Sequence, residues 1–422
     1  MNNTSKQHIA LISVHGDPAA EIGKEEAGGQ NVYVRQVGEV LAEQGWYVDM
    51  FTRSTSTQYP KVVEHSPGCR TIRLTAGPES FIPRQEIFGY CSEFLEELLK
   101  FQAQAGFNYS LVHTNYWLSA WVGMAWKKRQ PIKQVHTYHS LGAVKYKSVG
   151  TIPMIAGTRL GVEKAVLETA ERIVATSPQE KEHMRSLVSN KGKIDIIPCG
   201  TDIRRFASIN YYEARQQLGF NPKDKIILYV GRFDERKGIE TLVRAVSHSQ
   251  LRGKANLKLI IAGGSRSGKS DGIECDRIEK LVAELGIGDF TTFPGNLGGN
   301  LLAGHYAAAD VCVVPSYYEP FGLVAIEAMA SGTPVVASKV GGLQYTVLPE
   351  ETGLLVPPKD ELTLAAAIDR ILANPEWRHQ LGFRAKARVE NKFSWERVAY
   401  RLSNLYTELL PEPVKTLAQA SA

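Results

Sequence analysis

The chain has 422 residues, of which 43% are hydrophobic and 22% charged, and its formal net charge is +5. A chain of this length exceeds what one ordinary hydrophobic core serves, so two domains are expected. The mild excess of positive charge suits a protein that binds phosphorylated small molecules. It does not require nucleic acid as a partner, since proteins that bind nucleic acid usually have a strongly basic face.

The start of the chain and the cysteines indicate a cytoplasmic protein. The first apolar run, Ala10–Val14, is too short for the core of a signal peptide, and no apolar run approaches the length of a membrane span. The five cysteines are scattered, without a CxxC pair or a histidine at zinc-ligand spacing. We therefore expect reduced thiols, no metal, no cofactor and no stable membrane insertion.

Short β-branched runs alternate with helical patterns over almost the whole chain. In the first half the predicted strands are His8–Val14, Tyr47–Phe51, Thr71–Leu74, Leu111–His113, Gln134–Thr137, Arg172–Thr176 and Lys193–Ile197. In the second half they are Lys225–Gly231, Leu257–Ala262, Phe290–Phe293, Val311–Pro315, Pro334–Ala337 and Gly353–Val356. Buried strands that alternate with helices predict an α/β protein with two parallel, doubly wound sheets.

The boundary between the two domains is predicted near Pro198–Phe206, where the strand pattern stops until Lys225. We predict a Rossmann-like domain over residues 1–203 that binds the acceptor and a second one over 204–395 that binds a nucleotide. The stretch Pro375–Leu410 is predicted to be helical. Residues 396–422 are predicted to form a helix that returns to the first domain, followed by a tail. Two such domains place a ligand between the carboxyl ends of their strands.

The first motif is Ala27-Gly28-Gly29-Gln30-Asn31, between the first strand and its helix. Paired glycines let the backbone approach a ligand closely, and the helix that follows offers unpaired amides to a phosphate. An ordinary turn between a strand and a helix has the same composition, so this motif alone leaves both interpretations open.

The second motif is the Gly231–Gly238 loop, which directly follows the first strand of the second half. It holds Arg232 and Lys237 at the end of a strand, where a doubly wound sheet binds its ligand. A cation about 4 Å from a phosphate oxygen gains about 4 kcal/mol at an effective dielectric constant near 20. The alternative is a solvated charged loop.

The third motif is the run Pro315–Met329, which holds two carboxylates. Glu319 follows a strand, and Glu327 lies on the next helix, so both are able to bind sugar hydroxyls. The amides near Gly322–Val324 begin that helix and suit a pyrophosphate. An ion pair on the helix face is the alternative for Glu327, although its apolar neighbours would leave it in need of a partner.

These three motifs, in this order, resemble the retaining family-4 glycosyltransferases, and the resemblance covers nearly the whole chain. It implies the GT-B fold, in which two Rossmann-like domains face each other across a cleft. It also implies the catalytic residues His139, Arg232, Lys237 and Glu319. Donor contacts are implied for Gly28, Gly29, Arg232, Lys237, Glu319, Phe321, Gly322, Leu323, Val324 and Glu327.

Within that family, the resemblance assigns a role to each group. Glu327 would bind the nucleotide ribose, Glu319 the donor sugar hydroxyls, and Arg232 with Lys237 the leaving diphosphate. His139 would hold the donor sugar, although a lone histidine is more often structural. Retention is usually described as a same-face substitution that needs no carboxylate nucleophile, and the chain has no Asp-x-Asp pair that would bind a metal.

The acceptor is predicted from the segments His113–Ser119 and His139–Lys145, which are similar both to sucrose-phosphate synthases and to inositol-phosphate glycosyltransferases. Both groups use phosphorylated acceptors. The acceptor contacts implied are Gln30, Arg84, Tyr116, Thr137, Lys145 and Lys164. Scattered surface charges are the alternative interpretation of these residues.

The run Val14–Asp17 and the glycine turn resemble the compact cyanobacterial sucrose-phosphate synthases, which lack an appended phosphatase domain. The predicted reaction therefore moves glucose from UDP-glucose, or another NDP-glucose, to fructose 6-phosphate and forms sucrose 6-phosphate. Alternatives are transfer to inositol phosphate, or to a lipid at a membrane that the basic run Lys127–Arg129 would contact. A two-lobed, non-catalytic sugar-binding protein is a further alternative, against which the absence of a predicted signal peptide counts.

One motif points elsewhere. Gly263–Ser270 fits the Walker A pattern and follows a predicted strand. No later strand ends in an aspartate that would bind magnesium, since Val311–Val314 is followed by Pro315 and Ser316. Hydrolysis of ATP or GTP is therefore disfavoured.

Overall fold

The computed structural model describes residues 7–20, 28–148 and 152–410. Predictions for Ala27 and for the tail after Leu410 lie outside the described residues. The described strands are β1 His8–Ile12, β2 Tyr47–Arg53, β3 Val62–Ser66, β4 Cys69–Leu74, β5 Leu111–Asn115, β6 Lys133–Thr137, β7 Arg172–Ala175, β8 Ile194–Ile196, β9 Lys225–Val230, β10 Leu257–Ala262, β11 Thr291–Gly295, β12 Val311–Val314, β13 Val335–Ser338 and β14 Gly353–Val356.

Helices connect most of these strands. They are α1 Gly29–Glu43, α2 Cys91–Ala105, α3 Tyr116–Lys127, α4 Gly142–Lys145, α5 Ala156–Thr169, α6 Pro178–Leu187, α7 Ile203–Phe206, α8 Tyr211–Gln217, α9 Ile239–Ser247, α10 Ser270–Glu284, α11 Gly299–Ala308, α12 Leu323–Ala330, α13 Leu343–Thr346, α14 Glu361–Ala373, α15 Pro375–Lys392 and α16 Trp395–Leu409. Short 3₁₀ turns lie at Ile87–Tyr90, Tyr146–Ser148, Glu235–Lys237 and Gly288–Phe290.

The strands form two sheets, as the sequence predicts. Among the described residues, one sheet has the order β3-β4-β2-β1-β5-β6-β7-β8 and the other the order β11-β10-β9-β12-β13-β14. Neighbouring strands are parallel except for β3 and β4. The predicted fold class, two doubly wound Rossmann-like sheets, is therefore confirmed.

The antiparallel edge strand β3 is an element that the sequence did not predict. Its residues, Val-Val-Glu-His-Ser, are half-buried or exposed, so the run lacks the continuous apolar character of the interior strands. A strand that pairs on one side only needs little hydrophobic surface, and polar residues at a sheet edge discourage pairing with another chain. The other predicted strands are present, with ends that differ by at most about two residues.

Two chain segments connect the sheets, and they lie side by side. The amide of Thr201, after β8, donates to the carbonyl oxygen of Phe393 at 2.7 Å. Phe393 and Ser394 separate α15 from α16, so the helical stretch predicted over Pro375–Leu410 is two helices. The Ser394 hydroxyl caps α16 by accepting from the amide of Arg397.

Helix α16 packs against α1 and the first sheet. The indole Nε1 of Trp46 donates to the hydroxyl of Ser403 at 2.9 Å, and the hydroxyl of Tyr406 lies 2.6 Å from Nδ1 of His113 on β5. These contacts are those expected of a helix that returns to the N-terminal domain. The domain boundaries at residues 203 and 395 stay a prediction.

A buried carboxylate anchors the strand that leads to the third motif. Asp310, directly before β12, is fully buried and pairs with two guanidinium groups, Arg215 at 2.7 Å and Arg378 of α15. It also accepts from the Ile226 amide at 2.6 Å and the Tyr211 hydroxyl at 2.9 Å. One side chain thus joins β9, α8 and α15 to the start of β12.

We expect Asp310→Ala to destabilise the second sheet by about 3–5 kcal/mol, because two guanidinium groups would lose their carboxylate. Urea unfolding followed by circular dichroism measures the loss. Asp289→Ala, at an exposed position, is the control and should stay within about 0.5 kcal/mol of the original protein. Equal stabilities of the two variants would contradict this account of Asp310.

Candidate active site

The loops at the carboxyl ends of the two sheets meet across a cleft. Gly29, which begins α1, lies so close to Leu323, which begins α12, that a Cβ at Gly29 would be 2.8 Å from Leu323 Cδ1. The glycine turn of the first domain and the helix start of the third motif therefore face each other. This is the crevice in which a doubly wound fold binds ligands.

The second and third motifs are packed together at a left-handed glycine. Gly238 has φ 68°, and a Cβ there would lie 2.1 Å from the carbonyl oxygen of Pro315. The amide of Tyr317 donates to the Arg236 carbonyl at 2.7 Å. Because a side chain at position 238 would force these loops apart, glycine is required for their contact.

This packing brings Lys237 and Glu319 together. Lys237 Nζ lies 2.6 Å from Glu319 Oε2, and both side chains are mostly buried. Arg232 is exposed in the same loop and makes no ion pair with the described residues. The structure thus offers two cations at one end of β9, and a ligand with a diphosphate would compete with Glu319 for Lys237.

Glu327 lies on α12 and is held by a tyrosine. The Tyr306 hydroxyl donates to Glu327 Oε2 at 2.9 Å. Burial raises the pKa of the Glu327 carboxyl above its usual range, and the Tyr306 hydrogen bond opposes that rise. The alternative for Glu327 was an ion pair on the helix face. The structure has a hydrogen bond from a neutral hydroxyl to Glu327 instead.

The residues that begin α12 offer main-chain amides to a ligand. Gly322 has φ 95° and caps the helix, whose first amides, near Leu323 and Val324, have no carbonyl one turn earlier to bind. Phe321 is buried, with its ring edge-to-face to that of Phe393 at 5.7 Å. A donor contact of Phe321 would therefore involve its main chain, because its side chain belongs to the core.

His139 follows β6 in a left-handed conformation, with φ 58°. Its Nε2 lies 2.8 Å from Oδ1 of Asn115, whose Nδ2 donates to two backbone carbonyls. Since the Asn115 amide is oriented by those carbonyls, Nε2 of His139 carries the proton and Nδ1 is an acceptor. Burial lowers the pKa of His139 to about 3, so the ring is neutral at physiological pH.

Cations gather on the other side of the cleft, around Tyr116. The guanidinium groups of Arg84 and Arg159 lie 5.7 and 4.9 Å from the centre of the Tyr116 ring. Burial lowers the pKa of Lys145 to about 8, and the charges of Arg159, Arg236 and Arg84 contribute to the shift. Cations that lie this close together form a site suited to an anion.

Arg159 is a site residue that the sequence analysis missed. It is 2% exposed, and its Nε donates to Glu163 at 2.7 Å, its Nη1 to the Tyr116 hydroxyl at 3.1 Å and its Nη2 to the Ser140 carbonyl at 2.6 Å. The sequence does contain a signal for it, an Arg and a Glu four positions apart on the apolar face of α5. A charged pair is costly to bury, so its presence on that face indicates a specific role.

The structure does not bring two predicted acceptor residues to the cleft. Thr137 is fully buried, and its hydroxyl lies 2.8 Å from Nε2 of His113 inside the sheet. Lys164 is exposed on α5, about 100° around the helix from the neighbouring Glu163, which is fully buried against Arg159. These placements do not favour acceptor contacts of Thr137 and Lys164, which stay predictions.

Gln30 makes a hydrogen bond within the first domain. Its side-chain amide donates to the Ser13 hydroxyl at 2.9 Å, and so it ties the start of α1 to the end of β1. The site thus holds Arg84, Tyr116 and Lys145 of the predicted acceptor residues together, with Gln30 at its edge.

Two alternative interpretations, a lipid acceptor at a membrane and hydrolysis of ATP or GTP, lose support. In the basic run, Lys127 pairs with Glu171 and Arg129 with Glu96, each at 2.9 Å, so much of its charge is neutralised. No helix in the described residues is long and apolar enough to cross a membrane.

In the Walker-like loop, the Arg266 Nε donates to Asp271 at 2.9 Å. This contact places a carboxylate in the first turn of α10, where a phosphate would bind.

The fold and the site define a GT-B glycosyltransferase, and comparison with known families agrees. The model of the Glycosyltransferase Family 4 matches residues 27–205, and that of the Glycosyl transferases group 1 matches residues 211–388. The chain belongs to this family, and it is a hexosyltransferase.

Particular relatives are similar over almost the whole chain. The sucrose-phosphate synthase of Thermosynechococcus elongatus is 54% identical, with a TM-score of 0.88 over 96% of this chain and 99% of that one. The D-inositol 3-phosphate glycosyltransferase of Nocardia farcinica is 38% identical over 96% of this chain and 90% of its own. The Anabaena protein HepE, solved with UDP-glucose, shares the fold at 18% identity, with a TM-score of 0.74 over 95% of this chain and 99% of that one.

The buried histidines predict how stability depends on pH. Burial lowers the pKa of His113 and of His139 to about 3, whereas an unfolded histidine titrates near 6.5. Between these values the unfolded chain binds protons that the folded chain does not. The free energy of unfolding should therefore fall with falling pH below about 6.5, by up to about 1.4 kcal/mol per pH unit for each histidine.

Urea unfolding between pH 4 and 7 measures this slope. His139→Asn should reduce the slope by the equivalent of about one proton taken up on unfolding. Asparagine is chosen because it also tolerates the left-handed conformation. His379→Asn, at an exposed position on α15, should leave the slope as it is. The same slope in His139→Asn and in the original protein would mean that His139 is accessible to protons in the fold.

Proposed function

We propose that the protein is a retaining glycosyltransferase that moves glucose from UDP-glucose to fructose 6-phosphate, forming sucrose 6-phosphate and UDP. The observation that carries the proposal is the arrangement of two cation groups on one cleft. Lys237 pairs with Glu319 at the end of β9, in the same loop as Arg232. Opposite them, Arg84 and Arg159 lie against the ring of Tyr116, near Lys145.

The first cation group suits the diphosphate of the donor. Lys237 and Arg232 would bind it together with the first amides of α12, while Gly29 keeps the opposite wall free of side chains. Glu319 would bind the hydroxyls of the glucose and Glu327 those of the ribose. The HepE structure with UDP-glucose supports a nucleotide-sugar donor in this fold.

The second cation group suits the phosphate of the acceptor. A guanidinium that is already fixed by Glu163 and by Tyr116 loses little conformational freedom when it binds a phosphate. The 54% identity to a sucrose-phosphate synthase favours fructose 6-phosphate among the phosphorylated acceptors.

The reaction would proceed on one face of the sugar. The bond from glucose C1 to the diphosphate oxygen breaks, the acceptor oxygen forms a bond to C1, and the acceptor proton passes to the departing diphosphate. Lys237 and Arg232 stabilise the charge that develops on that leaving group. His139, which is neutral with Nδ1 as an acceptor, would fix a donor hydroxyl without adding positive charge near C1.

The test is an acceptor panel with purified protein. UDP-glucose with fructose 6-phosphate should release UDP and form sucrose 6-phosphate, measured by chromatography and mass spectrometry. Lys237→Ala should lower kcat by at least about 100-fold, because it removes a cation from the leaving group. The control is Lys254→Ala, at an exposed turn before β10 and so at the end of that strand away from the cleft, which should keep the original rate. Turnover of Lys237→Ala at the original rate would refute the site.

A second acceptor is favoured by a specific observation, the 38% identity to a D-inositol 3-phosphate glycosyltransferase. Inositol 3-phosphate therefore belongs in the same panel, with UDP-glucose and UDP-N-acetylglucosamine as donors. Product with inositol 3-phosphate and none with fructose 6-phosphate would transfer the proposal to that acceptor and leave the cleft assignment intact.

The lowered pKa of Lys145 gives a pH dependence. Its ammonium is charged below about pH 8 and neutral above, so kcat/KM for fructose 6-phosphate should fall as the pH rises through about 8. Lys145→Arg keeps a cation at every pH and should remove that fall. Rate profiles from pH 6.5 to 9.5 measure both, and an identical decline in the two proteins would exclude Lys145 as its cause.

A further inference from the structure

Tyr33 lies between the cleft and the segments that connect the two domains. It is on α1, is 1% exposed, and its ring is edge-to-face to that of His139, with 4.7 Å between centres and an interplanar angle of 73°. The opposite contact is to the indole of Trp395, at 5.8 Å and also 73°. One buried ring thus contacts both His139 and the first residue of α16.

Trp395 is part of the connection between the domains. It directly follows Ser394, which pairs with Thr201 in an isolated β-bridge. Its ring is so close to Gly200, on the other connecting segment, that a Cβ there would be 2.7 Å from the indole. A change in how the two segments lie would therefore move the indole, and the indole contacts Tyr33.

The ring of His139 is held from two sides. On one side Nε2 bonds to Asn115, and on the other the ring meets Tyr33. A single hydrogen bond leaves an imidazole free to rotate about it, and a second, apolar contact removes that freedom. Tyr33 also lies about one turn from Gly29, so α1 carries both the glycine turn and this ring.

We propose that Tyr33 is a positioning residue, which fixes the orientation of His139 according to how the two segments that connect the domains are packed. The contacts that carry the proposal are His139 with Tyr33, Tyr33 with Trp395, and Trp395 with Gly200. The inference rests on the proposed function, because it gives His139 a task at the donor sugar.

The test uses three variants of the full-length protein and one control. Tyr33→Leu removes the ring, and Tyr33→Phe keeps it. Gly200→Ala acts at a distance, by displacing Trp395. The control, Phe94→Leu, removes a ring of similar burial on α2, in the other hydrophobic cluster of the first domain.

Two measurements are made on each variant. The first is kcat and KM for UDP-glucose and fructose 6-phosphate. Tyr33→Leu and Gly200→Ala should lower kcat at least about tenfold and change KM for UDP-glucose less than about threefold, because orientation and not binding is lost. Tyr33→Phe should stay within about twofold of the original kcat, and so should Phe94→Leu.

The second measurement is NMR of the ¹⁵N-labelled imidazole of His139, which reads its surroundings without catalysis. Its signals should shift in Tyr33→Leu and Gly200→Ala and stay in place in Tyr33→Phe and Phe94→Leu. If they stay in place in all four variants, or if Phe94→Leu behaves as Tyr33→Leu does, the inference is wrong. A fifth variant, His139→Ala, separates the coupling from the role of His139. If it keeps the original kcat while the His139 signals shift as expected in Tyr33→Leu and Gly200→Ala, the role proposed for His139 fails and the coupling stands.

Discussion

The close approach of Gly238 to the carbonyl oxygen of Pro315 is the contact on which the site depends. Two loops that begin at different strands meet there, because the glycine adopts a left-handed conformation and has no side chain to hold the loops apart. The meeting brings Lys237 within 2.6 Å of Glu319. A cation and a carboxylate from separate motifs therefore occupy one end of the second sheet, opposite the glycine turn of the first domain.

The electrostatics of the cleft follow from burial. Histidines in the wall lose their charge, since burial lowers the pKa of His139 to about 3. Arginine keeps its charge at any accessible pH, and Arg159 is accommodated because Glu163, Tyr116 and a backbone carbonyl accept its hydrogens. The result is a wall whose positive charge is fixed in place and whose histidine is neutral, which suits substrates that carry phosphates.

The proposed role of Tyr33 makes the connection between the domains part of the site. Gly200 and Trp395 belong to the two different segments that connect the domains, and they pack against each other beneath Tyr33. Helix α1 then carries this contact toward the glycine turn that faces Leu323. In the coupling that we propose, a movement of the domains would change the geometry at the donor sugar through this one helix.

Local sequence was enough to predict the sheets and the three motifs. Parallel strands buried on both faces read as apolar runs, so β1, β9 and β12 were visible without tertiary information. The edge strand β3 was not, because pairing on one side leaves no such pattern. The break at Phe393 and Ser394 within the last helical stretch was also missed, and the Thr201 amide that bonds to Phe393 there comes from a distant part of the chain.

What the sequence by itself determined was the order of the elements, the family, and the residues whose position in a motif brings them to a strand end, such as Lys237 and Glu319. Only the tertiary structure decided which side chains around the acceptor face the cleft. It buries the Thr137 hydroxyl against His113, leaves Lys164 exposed on α5, and places Arg159 against Tyr116. The physical reason is that the direction of a side chain depends on how a helix is rotated against its sheet, and distant residues fix that rotation through packing.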